Sequence, residues 1–140
     1  MKNLFLIAMI ALGAAACSSE AENSPVTSIV DESDLTVLQW IDSSQNLGKI
    51  KEGQKLQIAF RFRNAGNKPL VIHSVQPGCG CTVADYPKQP IAPGAEAEIS
   101  GAFDSQGREG LQHKQIIVNA NTVGSQTHQV EFMVEVLKSK

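Results

Sequence analysis

The stretch LQIAFRFR at residues 56–63 decides the fold class of this 140-residue chain. Apolar side chains occupy every second position, from Leu56 to Phe62, and polar or small side chains fill the positions between them. A period of two residues is typical of a β-strand that buries one face and exposes the other. The stretch therefore predicts a half-buried strand with Arg61 and Arg63 on its polar face, ending at the turn residues NAGN.

Two later stretches repeat this alternation. Residues 95–104, AEAEISGAFD, place Ile99 and Phe103 on one face, and residues 130–136, VEFMVEV, carry an apolar side chain at every even position. Shorter β-prone runs lie at residues 35–41, 70–75, 82–85 and 111–120. Gly, Pro, Asn and Asp separate the runs, including at residues 46–48 and 52–53, where we expect the chain to turn.

The number and spacing of these runs predict an all-β fold. Short strands with a turn roughly every ten residues, and no helical stripe, are typical of a β-sandwich. We expect an immunoglobulin-like β-sandwich of about seven strands within residues 34–140. Trp40 lies at the end of the first run and is expected in the core or at its edge.

The N-terminus carries the pattern of an exported protein. Lys2 provides a positive charge, residues 4–16 are apolar or small and uncharged, and Cys17 follows directly. This order predicts a signal peptide over residues 1–16. The apolar run is shorter than the roughly 20 residues that a membrane-spanning helix needs. The alternative is an ordinary signal peptide cut near Ala16, with Cys17 incidental.

The residues around Cys17 resemble a lipobox, in which the thiol is diacylated and the cysteine becomes the new N-terminus. Three alanines precede Cys17 and two serines follow it, although Ala14 stands where a lipobox usually carries Leu. The resemblance implies that Cys17 is lipidated and anchors the chain to a membrane, with residues 17–33 as a flexible tether. Ser18 after the cysteine implies sorting to the outer membrane, on its periplasmic or its surface face.

Charge and motifs exclude two broad classes of protein. The net charge is −2 and no cluster of basic residues occurs, so a surface for nucleic acid is not expected. The sequence has no Ser–His–Asp arrangement, phosphate-binding loop, dinucleotide fingerprint or calcium loop. It therefore predicts neither an enzyme nor a nucleic-acid-binding protein.

A series of short motifs is similar to one bacterial family. In chain order they are FRFRNAG at 60–66, PL at 69–70, CGCT at 79–82, APG at 92–94 and FD at 103–104. They resemble the domain-of-unknown-function 1573 family, which is related to the Hydin-like immunoglobulin-fold domains. The resemblance covers nearly the whole domain and implies an immunoglobulin-like fold in a small lipoprotein or secreted protein of Bacteroidetes or their neighbours. It implies no established activity.

The CGC element is the one constellation with chemistry in it. Cys79 and Cys81 are the two thiols that remain once Cys17 is assigned to lipid. Four interpretations stay open, namely a disulfide between them, a redox-active dithiol, a soft-metal site for Cu(I) or Zn, and two small buried apolar side chains. A metal site needs more ligands, for which the candidates are His73, His113, His128 and Met133.

Some of these candidates also have a simpler interpretation. His73 is either an accessory metal ligand near the cysteines or an exposed residue on a strand. His113 and His128 are expected on the surface. Gly66 follows the strand predicted at residues 56–63 and is expected in a turn that needs a positive φ.

We expect a non-enzymatic binding or scaffolding module, anchored by its N-terminal lipid in the bacterial cell envelope. Its partner is expected to be another envelope protein or a glycan, and strand addition at an exposed sheet edge is one mode of recognition. The alternative is a protein that handles thiols or a soft metal, copper or zinc, through Cys79 and Cys81. No cofactor is expected apart from that metal.

Overall fold

The computed structural model describes residues 32–80 and 82–138. The predicted signal peptide, the predicted lipidation site Cys17, most of the tether and Cys81 lie outside these residues. Within the described residues, a 3-10 turn at Glu32–Asp34 is followed by eight β-strands. This part of the chain holds no helix that is long and apolar enough to cross a membrane.

The strands follow one another along the chain with short connections. Their bounds are β1 Leu38–Trp40, β2 Ser44–Lys51, β3 Lys55–Asn64, β4 Ile72–Pro77, β5 Thr82–Asp85, β6 Glu96–Asp104, β7 Gly110–Ala120 and β8 Thr127–Leu137.

Two four-stranded sheets share these strands. The first sheet has the order β1-β3-β6-β5, and the second has the order β2-β8-β7-β4. β1 runs antiparallel to β3, whereas β2, which comes next in the chain, runs parallel to β8 of the second sheet. The chain thus crosses between the sheets along one side of the sandwich. There the Gln45 side chain of β2 donates a 2.6 Å hydrogen bond to the carbonyl of Ala59 in β3.

The core lies between the two sheets and is formed by alternate residues of the long strands. In β3 and β8 every second side chain points inward, as the period of two predicts, and each of these inward residues in the middle of a strand is buried. Phe103 of the first sheet meets Phe132 of the second edge to face, with ring centroids 5.6 Å apart. Burying an aromatic or branched apolar side chain contributes about 1.5–3 kcal/mol, so these layers supply most of the stability.

The predicted β-sandwich is confirmed, with eight strands where the sequence indicated about seven. The extra strand is β2, because residues 46–48 were expected to interrupt the chain and instead lie within a strand. The register of β2 against β8 shifts between Asn46 and Lys49, which marks a β-bulge. Gly48 has a φ of 72° there, and its amide donates to the Asn46 side chain at 3.0 Å. A bulge needs the same residue types as a turn, which explains the difference.

A buried asparagine organises one end of the sandwich, the entry end, where the described chain begins. Asn64 is fully buried at the end of β3. Its side-chain oxygen accepts hydrogen bonds from the Thr36 hydroxyl at 2.9 Å and the Gly66 amide at 3.1 Å. Its side-chain nitrogen donates to the carbonyls of Lys68 at 2.7 Å and Ile91 at 2.9 Å. One side chain therefore joins four separate points of the entry end.

Asn121 performs a similar task from the loop between β7 and β8. Its side-chain oxygen accepts from the Val71 amide at 2.7 Å, and its nitrogen donates to the carbonyls of Asp34 at 2.8 Å and Pro69 at 3.0 Å. The two asparagines together fix the segment that leads into β1 against loops of both sheets.

Gly66 is needed for space, and its expected positive φ is not found. It is absent from the glycines with positive φ in the described chain, which include Gly94 and Gly110. A Cβ atom at Gly66 would overlap the Thr36 hydroxyl and lie 2.7 Å from the Val37 amide nitrogen. The segment entering β1 therefore passes so closely over residue 66 that only glycine fits.

Candidate functional site

The outer face of the first sheet carries a ladder of charged side chains. The register pairs Lys55 with Asp104 at one end of β3, and pairs Arg61 with Glu98 and Arg63 with Glu96 at the other. These side chains point to solvent, as the alternation predicts. The middle of the same face is formed by short side chains, namely those of Ala59, Ser100 and Ala102.

Two neighbouring arginines on this face differ in their partners. The Arg61 Nε atom lies 2.7 Å from the Asp42 carboxylate, and this hydrogen bond, with the charge of Asp42, raises the pKa of Arg61. The Arg63 Nε atom donates instead to the carbonyl of Gly94 at 3.1 Å. Among the described residues, no carboxylate lies within 4.0 Å of the Arg63 guanidinium. Arg63 is thus held by a backbone group, and in the described part of the chain it forms no ion pair.

Three cavities open on this same outer face. The first, of about 190 Å³, is lined by Arg61, Glu96, Ala97 and Glu98. The second, of about 280 Å³, is lined by Gln39, Arg63, Asn64, Ala65, Gly66 and Gly94. The third, of about 200 Å³, is lined by Gln57, Asp85, Ser100, Gly101 and Ala102. A series of shallow cavities along one sheet face is suited to binding a partner's side chains.

β1 forms the edge of this face. Val37 and Ile41, which flank β1, are each 43% exposed and stand on either side of Gln39. Trp40 points the other way, and its ring packs edge to face on Phe62 with centroids 5.4 Å apart. Trp40 therefore lies at the edge of the core, as expected.

His128 is half-buried, where the sequence predicted a surface position. It has the core-facing parity of β8, with its ring 6.4 Å from the Trp40 ring and its Nε2 atom 2.7 Å from the hydroxyl of the buried Thr122. Burial lowers the pKa of His128, because the charged imidazolium loses solvation. The ring is therefore neutral at pH 7 and belongs to the packing of the entry end.

The loop after β4 carries Cys79. Its start is fixed by a 2.9 Å hydrogen bond from the Gly78 amide to the carbonyl of Gln115 in β7. Cys79 is half-buried against the hydrophobic core and is disulfide-bonded, and its sulfur lies 3.7 Å from the Thr82 hydroxyl. Gly80 is exposed, and a Cβ atom there would meet no atom within 4 Å. Cys81 lies outside the described residues, so its pairing with Cys79 stays a prediction.

The other predicted ligands are spread over the molecule. His73 is exposed in β4, six residues before Cys79, which corresponds to roughly 20 Å of extended chain. His113 pairs with Glu131 at 2.8 Å on the outer face of the second sheet, where Met133 also lies. Within residues 32–80 and 82–138, no group of three His, Cys, Asp or Glu side chains could hold a metal ion.

Sequence reasoning missed the cavity around Arg63. Its lining residues come from β1, β3 and two loops, so they are far apart in the sequence. The alternation placed Arg63 on the polar face, but no local pattern shows that Asp42 pairs with Arg61 and not with Arg63. That difference depends on where the chain crosses between the sheets.

One family matches the chain over most of its length. The family described as "Protein of unknown function (DUF1573)" matches residues 38–136. No curated protein matches the sequence.

Solved structures with the same fold come from distant proteins. A protein of unknown function from Porphyromonas gingivalis W83 is 20% identical with a TM-score of 0.67, and the match covers 79% of this chain and 51% of that one. The secreted serine protease VesC from Vibrio cholerae is 14% identical with a TM-score of 0.55, covering 76% of this chain and 24% of that one. The PapD-like domain 7 of human CEP192 is 9% identical with a TM-score of 0.60, covering 93% of this chain and 100% of that one.

These likenesses concern the fold alone, since the identities are 20% or lower. The chain spans about half the length of the P. gingivalis protein and about a quarter of VesC. The PapD-like comparison agrees with the two-sheet, immunoglobulin-like architecture described above.

Proposed function

The chain belongs to the family of proteins of unknown function DUF1573, and from that premise we propose that it is a lipid-anchored envelope protein that binds a partner without catalysing a reaction. The binding surface in this proposal is the outer face of the first sheet. The observation that carries it is the grouping of three cavities on that one face, each lined by at least one charged side chain.

The chemistry of the face favours binding over catalysis. Glu96 and Glu98 stand beside Arg61, and the cavity they line is shallow and open to solvent. Exposed carboxylates beside a guanidinium are suited to ion pairing with a partner.

Site-specific crosslinking in cells tests this proposal. A photo-reactive amino acid at Ser100, exposed in the middle of the first sheet, is expected to capture a discrete envelope partner in the native bacterium. The matched control is Gln129, which is equally exposed on the outer face of the second sheet. Equal capture at both positions, or none at Ser100 under several growth conditions, would contradict the proposal.

A second candidate function, thiol–disulfide exchange, is favoured by the state of Cys79. Cys79 is disulfide-bonded beside the exposed Gly80, and we propose Cys81 as the second sulfur. A thiolate of a partner dithiol attacks the bridge, the S–S bond breaks, and a mixed disulfide forms. The partner's second thiolate then resolves it, so two electrons and two protons pass from the partner dithiol to the cysteine pair.

The position of the loop is compatible with this chemistry in an anchored protein. The Gly78 amide bonds to Gln115, which lies five residues before Ala120, the residue where β7 reaches the entry end. Thr82 pairs with Phe103, near the end of β6 that is opposite to Glu96. The loop therefore lies roughly 15–25 Å from the entry end. With a lipid on Cys17 and the tether joining at the entry end, Cys79 faces away from the bilayer.

Mass spectrometry of the protein isolated from envelopes tests the anchor and the bridge together. We expect a lipid-sized mass on Cys17, no alkylation of Cys79 or Cys81 before reduction, and alkylation of both afterwards. In the control variant Cys79→Ser, Cys81 is expected to alkylate without reduction. Two freely alkylated thiols in the untreated protein exclude the exchange function, and an unmodified Cys17 excludes the anchor.

A further inference from the structure

We propose that the edge of β1 binds an extended acidic segment of a partner protein, which adds to the first sheet as a fifth strand and places a glutamate on Arg63. This proposal rests on the proposed binding function and names the chemistry of the partner. Its elements are the backbone of β1, the two apolar side chains beside it and the Arg63 guanidinium, which forms no ion pair within the described residues.

Among the described strands, none pairs with the side of β1 that faces away from β3. The Ala65 amide donates to the Val37 carbonyl at 2.8 Å, and the Ile41 amide donates to the Arg61 carbonyl at 2.9 Å. In an antiparallel ladder the alternate residues point their polar groups the other way. Leu38 and Trp40 therefore direct their N–H and C=O groups away from β3, towards the place of an added strand.

The open stretch of this edge has defined limits. Before it, the Thr36 amide and carbonyl are bonded to Asn121 and Val123 of the loop after β7, at 3.0 Å each. After it, the chain leaves for the second sheet beyond Asp42. About five residues of an extended partner fit between these limits, at roughly 3.3 Å per residue.

The side chains along the edge select an alternating partner. Val37 and Ile41 are exposed apolar residues, and Gln39 stands between them on the outer face. Side chains of an added strand also alternate, so its first, third and fifth residues lie on this face. Two apolar residues then cover Val37 and Ile41, and the residue between them lies beside Gln39.

Charge indicates which residue type occupies the central position of the added strand. Gln39 is paired with Arg63 across the ladder, and both line the cavity of about 280 Å³. The bond from Arg63 Nε to the Gly94 carbonyl leaves both terminal nitrogens of the guanidinium for a carboxylate. An added strand lies two strand spacings, about 10 Å, from β3, a gap that glutamate and arginine side chains span together. Glu96, on the other side of Arg63, makes no ion pair with it within 4.0 Å in the described structure.

The other edges are less suited to this role. The β4 edge is occupied at His73, whose carbonyl accepts from the Tyr86 hydroxyl at 3.3 Å, and the strand ends in Pro77. β2 is interrupted by the bulge between Asn46 and Lys49, which breaks the regular ladder that an added strand needs. β5 has only four residues, one fewer than the stretch that is open at β1.

Peptide titration tests the proposal on the full-length lipoprotein in detergent micelles. The probe is acetyl-Val-Thr-Glu-Thr-Val-amide, and the readout is the NMR shifts of the Leu38 and Trp40 amides. We expect saturable shifts at both amides. Replacing the peptide's Glu by Gln, or Arg63→Gln in the protein, is expected to weaken binding about tenfold, the loss typical of one charge-assisted contact.

Matched variants separate the outcomes. Arg61→Gln changes an arginine of the same face that is already paired with Asp42, and it is expected to leave peptide binding unchanged. Arg63→Lys keeps the charge without the fork and is expected to recover part of the affinity. Unchanged shifts at Leu38 and Trp40, or equal binding of the Glu and Gln peptides, overturn the proposal.

Two other occupants of the edge are also outcomes. Shifts at Leu38 and Trp40 that grow with protein concentration in the absence of peptide assign the edge to a second copy and overturn the proposal. The other outcome is that polygalacturonate displaces the peptide and binds in a way that depends on Arg63 but leaves the Leu38 and Trp40 amides unshifted. That result assigns Arg63 to an acidic glycan and overturns the proposal. If a partner is captured at Ser100 but the peptide does not bind at β1, this inference is contradicted and the proposed function is still supported.

Discussion

Replacing Asn64 by Ala is expected to lower the free energy of unfolding by about 3–5 kcal/mol, because it removes four buried hydrogen bonds at once. The Thr36 hydroxyl, the Gly66 amide and the carbonyls of Lys68 and Ile91 all lose their partner. Urea unfolding followed by the fluorescence of Trp40, the only tryptophan, measures the change.

The exposed Asn46 provides the control for this experiment. Its side-chain oxygen accepts one bond, from the Gly48 amide, in contact with solvent. Asn46→Ala is expected to change stability by less than about 1 kcal/mol. Asn64→Asp keeps the acceptor but loses both donors and buries a charge, so it is expected to be at least as harmful as Asn64→Ala. If Asn64→Ala unfolds at the same urea concentration as Asn46→Ala, the role given to Asn64 is wrong.

Replacing Gly66 by Ala is expected to cost about 2–3 kcal/mol, because the added methyl group collides with the chain that enters β1. The Thr36 hydroxyl and the Val37 amide cannot both keep their positions above a Cβ atom. We expect the same urea experiment to show the loss. Hydrogen exchange at the Ile41 and Ala65 amides, which join β1 to β3, is expected to become faster than in the rest of the first sheet, since β1 is the element displaced.

Two further variants make this prediction specific. Gly80→Ala adds the same methyl group where no atom lies within 4 Å, and it is expected to change stability by less than about 0.5 kcal/mol. Thr36→Ala combined with Gly66→Ala removes one of the two colliding groups and is expected to recover part of the loss. Equal effects of Gly66→Ala and Gly80→Ala would show that residue 66 tolerates a side chain.

The strands of this fold are readable from the sequence wherever one face is buried. β3, β6 and β8 follow their alternation residue by residue, because a slip of one position would turn every core residue outward. The same rule applies to His128, which lies on the same face of β8 as Val130 and Phe132. A strict application of the alternation would have placed this histidine inward.

The entry end could not be read in the same way. Asn64 and Gly66 have the composition of an ordinary turn, and their actual duties depend on Thr36 and Ile91, which are 27 or more residues away. β2 was also not predicted, because its bulge contains the residue types of a turn. The strand carries only two apolar side chains, Leu47 and Ile50, and both pack on the core. Partners that are distant in the sequence leave no local periodicity.

The candidate site was partly visible from the sequence. The pattern predicted that Arg61 and Arg63 face solvent, which is confirmed. It could not tell the two apart, since their difference comes from Asp42 at the crossing between the sheets and from Gly94 in a distant loop. The CGC element stood out by composition, but the half-buried position of Cys79 follows from the loop's attachment to β7.

The parallel pairing of β2 with β8 has a mechanical consequence. The described chain enters at one end of the sandwich, and β8 ends at Leu137 near the other end. Tension applied between Leu35 and Leu137 therefore runs along the strands. It loads the hydrogen bonds between β1 and β3 and those between β2 and β8 in shear. The bonds of each strand pair must therefore break together and not one after another. The domain is thus arranged to bear a pull along its length between Leu35 and Leu137.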